Sequence, residues 1–385
     1  MSQKAVIRLV VAIAIMALLF AFVPILFWIV LILLVGLVLL GRWVGGGRLP
    51  PEFFIPKSVE GPAFRTYEAV VPDSPLKLMH FISEQEELNV SSSLIMGDKE
   101  VICVTAQATK YAAERLVGEI EKTGRKLTYI YLDHPHLDHS QGATELLKRF
   151  PDAKCVGAPK VVELQKLRMA SDDATALKRY ADNAAVPSVP FEPLDATTIM
   201  LEGREIQLWH DMIGDAGVGR PDEPHTVIYI PDLKALLPTD ICYFGGHMMM
   251  GGSTPESRAQ WKQQLRDWLK MDLQVVIPGH IVRAFSDQMT AKGVLEFSLK
   301  YIEDYEAALA ASNSSDEVIA WMLKEYPDIG HVPALQLGTF MNFGETHRIL
   351  FNPRIDKVAS FLPKALVRRI DTKLFEARKK AANPA

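Results

Sequence analysis

Histidine and aspartate crowd into one short stretch of this chain, where His134, His136, Asp138 and His139 fall within six residues, directly after Asp133. An apolar, β-type run from Leu127 to Leu132 leads into it. A strand that ends in a tight turn can point alternate side chains into one pocket. Nitrogen and oxygen ligands gathered in this way suit Zn²⁺, and they also suit Fe or Mn. The competing account is a solvated polar loop, or histidines that cap the next helix. Four specified residues at fixed offsets after an apolar strand favour a metal site.

The spacing His-x-His-x-Asp-His, carried by His134, His136, Asp138 and His139, resembles the signature of the metallo-β-lactamase superfamily. Two further features fit the resemblance: Pro278-Gly279-His280 follows the apolar run 273–277, and Asp240 follows Ala235-Leu-Leu-Pro-Thr. The resemblance covers about residues 85 to 285. It implies an α/β fold, the four-layer αβ/βα sandwich, with metal between the sheet edges. It also implies two ions, zinc in the first instance. His134 and His136 would hold one, and Asp138, His139 and His280 the other, with Asp240 between them because its two oxygens can each take one ion. Water between two divalent ions loses a proton near neutral pH and becomes a nucleophile, while the ions polarise a scissile carbonyl or phosphoryl oxygen. The implied reaction is hydrolysis, with Asp138 in the catalytic machinery. The iron-containing oxidoreductase branch usually has Glu where this chain has His136, which argues against redox chemistry.

The chain departs from the family at the third histidine. Counting back from Asp240 by the family's spacing reaches Pro221, which offers no ligand atom. His225, just before an apolar run, is the first choice, with Asp215 and His210 as alternatives. A second departure lies at Val104-Thr105-Ala106-Gln107, where members often have a supporting aspartate. Thr105 or Gln107 can replace some of its hydrogen bonds but not its charge, and Asp133 can compensate. His247, in Gly245-Gly246-His247, follows Asp240 on a glycine-rich loop and is expected to line the pocket or donate a proton to the leaving group.

The elements that must position these residues are legible in part. Ser91 to Met96 and Glu100 to Val104 read as paired strands about the turn Gly97-Asp98-Lys99. Ala112, Ala113, Leu116, Val117 and Ile120 recur at helical spacing, with Gly124 as a stop. Glu145 to Phe150 begins another helix, and residues 160–190 read as helix and loop covering the site. Glu205 to Trp209, Val227 to Ile230, Ala235 to Leu237 and Gln274 to Ile277 look like strands of a second half. Ser257 to Lys270 is amphipathic.

Residues 9–40 carry no charge, a run long enough to enter a bilayer as a kinked helix or as a re-entrant hairpin bent at Pro24. The expected organisation is therefore a membrane-embedded segment over 1–44, a linker and wrapping arm over 45–80, a catalytic domain over 81–295 and a helical extension over 296–385. The last stretch, Arg354 to Lys380, is basic and amphipathic, fit to lie on an anionic lipid surface, on its own domain or across a dimer interface. A net charge of −4 gives no sign of a nucleic-acid partner. Three cysteines, Cys103, Cys155 and Cys242, cannot all pair within one chain, which leans towards a reducing compartment. A hairpin would put both flanking basic clusters, and the catalytic domain, on the cytoplasmic side. The reading is a membrane-associated metal-dependent hydrolase of an ester, lactone, thioester or similar, amphiphilic substrate, compatible with a homo-oligomer. The alternatives are a phospholipid phosphodiesterase and a non-catalytic metal-binding accessory protein.

Overall fold

Two β-sheets packed face to face carry the residues of interest. The computed structural model describes residues 30, 33–40, 65–217, 220–350 and 353–382. The first sheet has the order β1-β2-β3-β4-β5-β6-β7. Its strands are β1 (Arg65–Glu68), β2 (Lys77–Ile82), β3 (Ser91–Met96), β4 (Glu100–Val104), β5 (Lys126–Leu132), β6 (Lys154–Gly157) and β7 (Glu192–Pro193). It is antiparallel from β1 to β4 and parallel from β4 to β7. The second sheet has the order β12-β11-β10-β9-β8. It is built from β8 (Thr198–Leu201), β9 (Arg204–Ile213), β10 (Pro224–Ile230), β11 (Ala235–Phe244) and β12 (Val275–Ile281), with β12 parallel to β11.

Strand β4 shows why the sheets stack. Successive side chains of a strand point to opposite faces. Val101 and Cys103 join a buried cluster with Leu116 and Ile120 of α1 (Lys110–Lys122). Ile102 and Val104 turn the other way and, with Ile95 and Tyr131, meet Ile199, Ile206, Leu208 and Ile228 of the second sheet. A strand apolar on both faces requires cover on both faces. The helices α2 (Leu137–Ser140), α3 (Ala143–Arg149) and α4 (Pro159–Tyr180) follow the histidine-rich stretch. On the second sheet the outer layer is α5 (Pro255–Trp268) and α6 (Ala291–Ala311). Buried Trp261 of α5 donates from Nε1 to the Ile241 carbonyl at 2.8 Å, and Ser298 of α6 exchanges hydrogen bonds with the Tyr243 backbone. Helix, sheet, sheet, helix is the mixed α/β sandwich.

One difference from the sequence reading concerns the expected wrapping arm. The end of the expected wrapping arm forms strands: β1 and β2 pair along the edge of the first sheet, with Leu76, Leu78 and Phe81 fully buried. Pro72 and Pro75 lie in the connection between them, so a proline-rich composition hides two strands. The expected membrane segment falls mostly outside the described residues. Of it, 33–40 are helical with exposed apolar side chains, and no helix among the described residues is long and apolar enough to cross a membrane.

The chain divides into two compact units, 1–48 with 350–364 and 49–349 with 365–385. The first includes α9 (Pro353–Ser360). The second holds both sheets, α7 (Ser315–Glu325), α8 (Val332–Asn342) and nearly all of α10 (Lys364–Ala382). α8 is tied down by Asn342, whose Nδ2 donates to the Met250 carbonyl at 2.9 Å. α10 is held through buried Asp371, which accepts from the His347 backbone at 3.0 Å and pairs with its Nδ1 at 2.7 Å.

Candidate metal centre

β5 stops at Leu132, and the turn that follows sends Asp133 and His134 inward before His136 opens α2. Asp133 lies beneath the histidines. His134 Nδ1 is 2.8 Å from its Oδ2, His139 Nδ1 is 3.1 Å from the same oxygen, and Thr105 Oγ1 donates to its Oδ1 at 2.8 Å. Both rings are thereby fixed with Nε2 facing the other way. Burial would raise the Asp133 pKa, but His139 and His134 hold it far below the carboxylate range. This carboxylate supplies the negative charge that the segment 104–107 lacks.

Thr105 holds that place at a cost. Its φ of 68° puts a β-branched residue in the left-handed region, and Gln107 follows at 77°. The conformation is over-determined from three sides. Thr105 N donates to the Tyr131 carbonyl at 3.1 Å, Ser92 Oγ donates to the Thr105 carbonyl at 2.8 Å, and the hydroxyl is taken by Asp133. Strain of this kind is found where function fixes a side chain.

Two sets of donors converge above this floor. The first is His134, His136, Asp215 and Asp240. His136 Nδ1 is 2.9 Å from His134 Nε2 and 3.4 Å from Asp215 Oδ2, and His134 Nε2 is 3.5 Å from Asp240 Oδ2. The second is Asp138, His139, Asp240 and His280. His280 Nε2 is 3.1 Å from Asp240 Oδ2 and 3.5 Å from Asp138 Oδ2, while its Nδ1 donates to the Leu88 carbonyl at 2.8 Å. Asp240 belongs to both sets. Thr239, just before it, has a φ of 50°, and the β11–β12 register slips on either side of Thr239. A slip of this kind re-aims a side chain at a strand end.

The donor chemistry fits divalent ions. His139 Nε2 lies 3.2 Å from Asp240 Oδ1, yet these two buried atoms, like Asp215 Oδ1, have no aligned hydrogen bond. Leaving such groups unmatched inside a protein is costly unless a cation takes them. A third grouping, Asp133 with His134 and His139, uses the Nδ1 side and is already satisfied by hydrogen bonds.

Three expected site residues fall outside the two donor sets. His225, the first choice for the third ligand, is fully buried and stacks on His134 with centroids 4.5 Å apart. Its Nε2 donates to the Asp215 carbonyl at 2.9 Å, so it braces the 214–217 loop while the Asp215 side chain enters the donor set. Gly214 allows the close pass, because a Cβ there would come within 2.9 Å of the His225 ring. Burial and neighbouring His134 push the His225 pKa down to about 4. His210 is further off, 2.8 Å from the Ala196 carbonyl and 3.3 Å from the Thr226 hydroxyl. His247 does not join the donor sets: its Nδ1 is 3.0 Å from Tyr301 Oη, its ring meets Tyr301 and Tyr326 edge-on, and burial pushes its pKa down to about 4. The pairing of Gly246 with Gly330 turns residue 247 towards α6.

Three residues at the site were not anticipated. Glu223, buried, has Oε2 3.6 Å from His136 Nε2, accepts from Gly217 N at 2.6 Å, and pairs with Arg168 of α4. Burial opposes its ionisation, but His136 and Arg168 keep it well below the carboxylate range. Tyr243 Oη makes long contacts to Asp240 and Asp215, at 3.4 and 3.5 Å. His331 packs its ring on His280. The sequence signal for Glu223 was its place two residues before His225; for His331 there was none.

A sandwich with two donor sets sharing one aspartate at its sheet ends defines a metal-dependent hydrolase class. The family model of the metallo-beta-lactamase superfamily matches residues 88–280, half of the chain. The protein belongs to that superfamily. Among solved structures, DIM-1 metallo-beta-lactamase is similar at 18% identity, covering 63% of this chain and 99% of its own, with a TM-score of 0.41. The metallo-beta-lactamase of Pontibacter korlensis is similar at 13% identity over 62% and 99%, with a TM-score of 0.42. VMB-1 is similar at 14% over 66% and 100%, with a TM-score of 0.43. No curated protein matches the chain.

Proposed function

We propose that this protein is a membrane-associated hydrolase that works with two zinc ions on an ester, lactone, thioester or similar substrate with an apolar tail. The observation that carries the reading is the pair of donor sets meeting at Asp240. His134, His136 and Asp215 would hold one ion, and Asp138, His139 and His280 the other. Bound there, the ions supply a water-derived nucleophile at neutral pH and polarise the scissile group.

The remaining work falls to the chain. Asp133 fixes the tautomer of His134 and His139 by accepting hydrogen bonds from their Nδ1–H groups. The Leu88 carbonyl does the same for His280. Glu223, near Nε2 of His136, sets that ring with Nδ1 towards the site and is itself held by Arg168. Tyr243 adds a hydroxyl between Asp215 and Asp240.

Membrane association is supported by the uncharged run 9–40 and by α10. Leu366, Ile370 and Leu374, spaced four apart, are 43%, 41% and 43% exposed, with Arg369 and Lys373 beside them. A helix that presents an apolar stripe with basic flanks to solvent matches an anionic lipid surface. The active domain is assigned to the cytoplasmic side, in keeping with the positive residues flanking the apolar run and with three unpaired cysteines.

The test is elemental analysis of detergent-purified wild type, Asp215→Ala and His225→Ala, alongside hydrolysis of p-nitrophenyl butyrate and bis(p-nitrophenyl) phosphate. Two zincs in the wild type, falling towards one in Asp215→Ala with loss of turnover, is the expected result. Zinc retained in His225→Ala would agree with its bracing role. A wild type that holds no zinc after supplementation and cleaves neither probe would overturn the reading in favour of an accessory protein.

A further inference from the structure

The donor sets come from residues 134 to 280, yet one more polar ring reaches them from the C-terminal helices. We propose that His331 is a substrate-contacting residue of this site, its imidazole hydrogen-bonding an oxygen of the substrate over the His280 side. The proposal deepens the hydrolase reading above and rests on it.

The backbone delivers this ring by a specific device. Between α7 and α8 the chain pairs with the loop after β11: Gly330 N donates to the Gly245 carbonyl at 2.9 Å, and His247 N donates to the Gly330 carbonyl at 2.9 Å. Gly246 and Gly330 form a parallel bridge. Both must be small, because a Cβ on Gly246 would come within 2.9 Å of Val282, and one on Gly330 within 3.0 Å of the same side chain. His331 then takes a φ of 60°, a left-handed conformation in which histidine is several-fold enriched among residues with a side chain.

The ring ends up buried, 8% exposed, with its centroid 4.9 Å from His280 and 6.1 Å from Tyr243. Its Nδ1 is buried without a hydrogen-bond partner. Packing alone does not account for this, since an apolar ring would fill the same space without an unmatched nitrogen. An imidazole here offers a ring nitrogen that can give or accept a hydrogen bond. A carbonyl or phosphoryl oxygen bound beside His280 would supply the missing partner.

The experiment uses full-length, detergent-purified protein as wild type, His331→Asn and His331→Phe. Asparagine tolerates the left-handed backbone but is too short to reach; phenylalanine keeps the stacked ring and removes both nitrogens. Zinc content and melting temperature are measured first. Inorganic phosphate binding is then followed by the visible spectrum of the cobalt-substituted protein, and KM and kcat with p-nitrophenyl butyrate. The expected result is wild-type zinc content and melting in at least one variant, with phosphate affinity and kcat/KM down about tenfold or more, roughly one lost hydrogen bond in that environment. Wild-type phosphate affinity and kinetics in His331→Phe would overturn the proposal and leave the ring a packing element. A zinc-loaded wild type that neither binds phosphate nor turns over would instead overturn the hydrolase reading, and this proposal with it.

Discussion

Glu223 and Asp215 show how differently two acids on one irregular loop can serve the same histidine. Asp215 faces Nδ1 of His136, within the donor set, and Glu223 faces Nε2, outside it. Partners that orient a metal-binding histidine typically contribute about 10- to 100-fold in metal affinity. Glu223→Gln is therefore expected to weaken zinc binding at least tenfold in competition with a chelator while the fold melts near the wild-type temperature; unchanged affinity would reduce Glu223 to a loop brace. The histidine motif itself was legible because its members are adjacent in sequence and follow an apolar strand. Asp215 and His225 are not separable by spacing, since both lie near the expected position, and only the folded loop puts the Asp215 side chain in the donor set with His225 bonded to its carbonyl. His331 is invisible in the sequence, because it reaches the site through a backbone pairing 84 residues along from Gly246 that no spacing rule anticipates.

Among the elements, β3 and β4 were plain from alternation and their Gly-Asp-Lys turn, and their bounds agree with the structure. β11 is not: the apolar pattern ends at Leu237, whereas the strand runs through Pro238 and the slipped register at Thr239 to Phe244. A local irregularity that aims Asp240 is just what breaks the sequence pattern. Gly279 on β12 permits that aim, since a Cβ there would lie 1.8 Å from Asp240 Oδ1. Gly279→Ala should cost about 2–3 kcal/mol of stability by overpacking and lose zinc, read by melting and elemental analysis; wild-type zinc content would show that Asp240 can be displaced without harm. At the opposite end of the strands, the Glu202 carboxylate accepts from the backbone of Asp98, Lys99 and Glu100, tying the β8–β9 turn to the β3–β4 turn. Those hydrogen bonds lower its pKa below 4.5. A group depressed on folding stabilises above its unfolded pKa, and the contribution is lost as pH falls through the folded value. Wild type and Glu202→Gln should thus differ most near neutrality, by less than about 1 kcal/mol because the site is solvent-screened, and converge in acid below the ordinary glutamate range. A gap that widens on acidification would contradict the linkage.

For the molecule as a whole, reactivity and location follow from what is covered and what is not. Cys103, Cys155 and Cys242 are all buried and unpaired, and burial pushes their thiols up, Cys155 to about 12. A thiol reagent should label none of them in the native protein and all three after denaturation; fast native labelling would contradict the burial. The apolar stripe of α10 is uncovered, and its helix is fastened from another side by Asp371. If the run 9–40 inserts and α10 only lies on the surface, the two should respond differently to salt, because attraction to anionic lipid is worth about 1 kcal/mol per basic residue near the surface and is screened within a Debye length. Full-length protein should stay with membranes through a high-salt wash. A form lacking residues 1–48 should bind phosphatidylserine vesicles in a salt-sensitive way, and lose that binding when Ile370 and Leu374 are both changed to Asp. If the shortened form ignores vesicles at low salt, the stripe on α10 meets something other than lipid, and membrane attachment rests on the first residues alone.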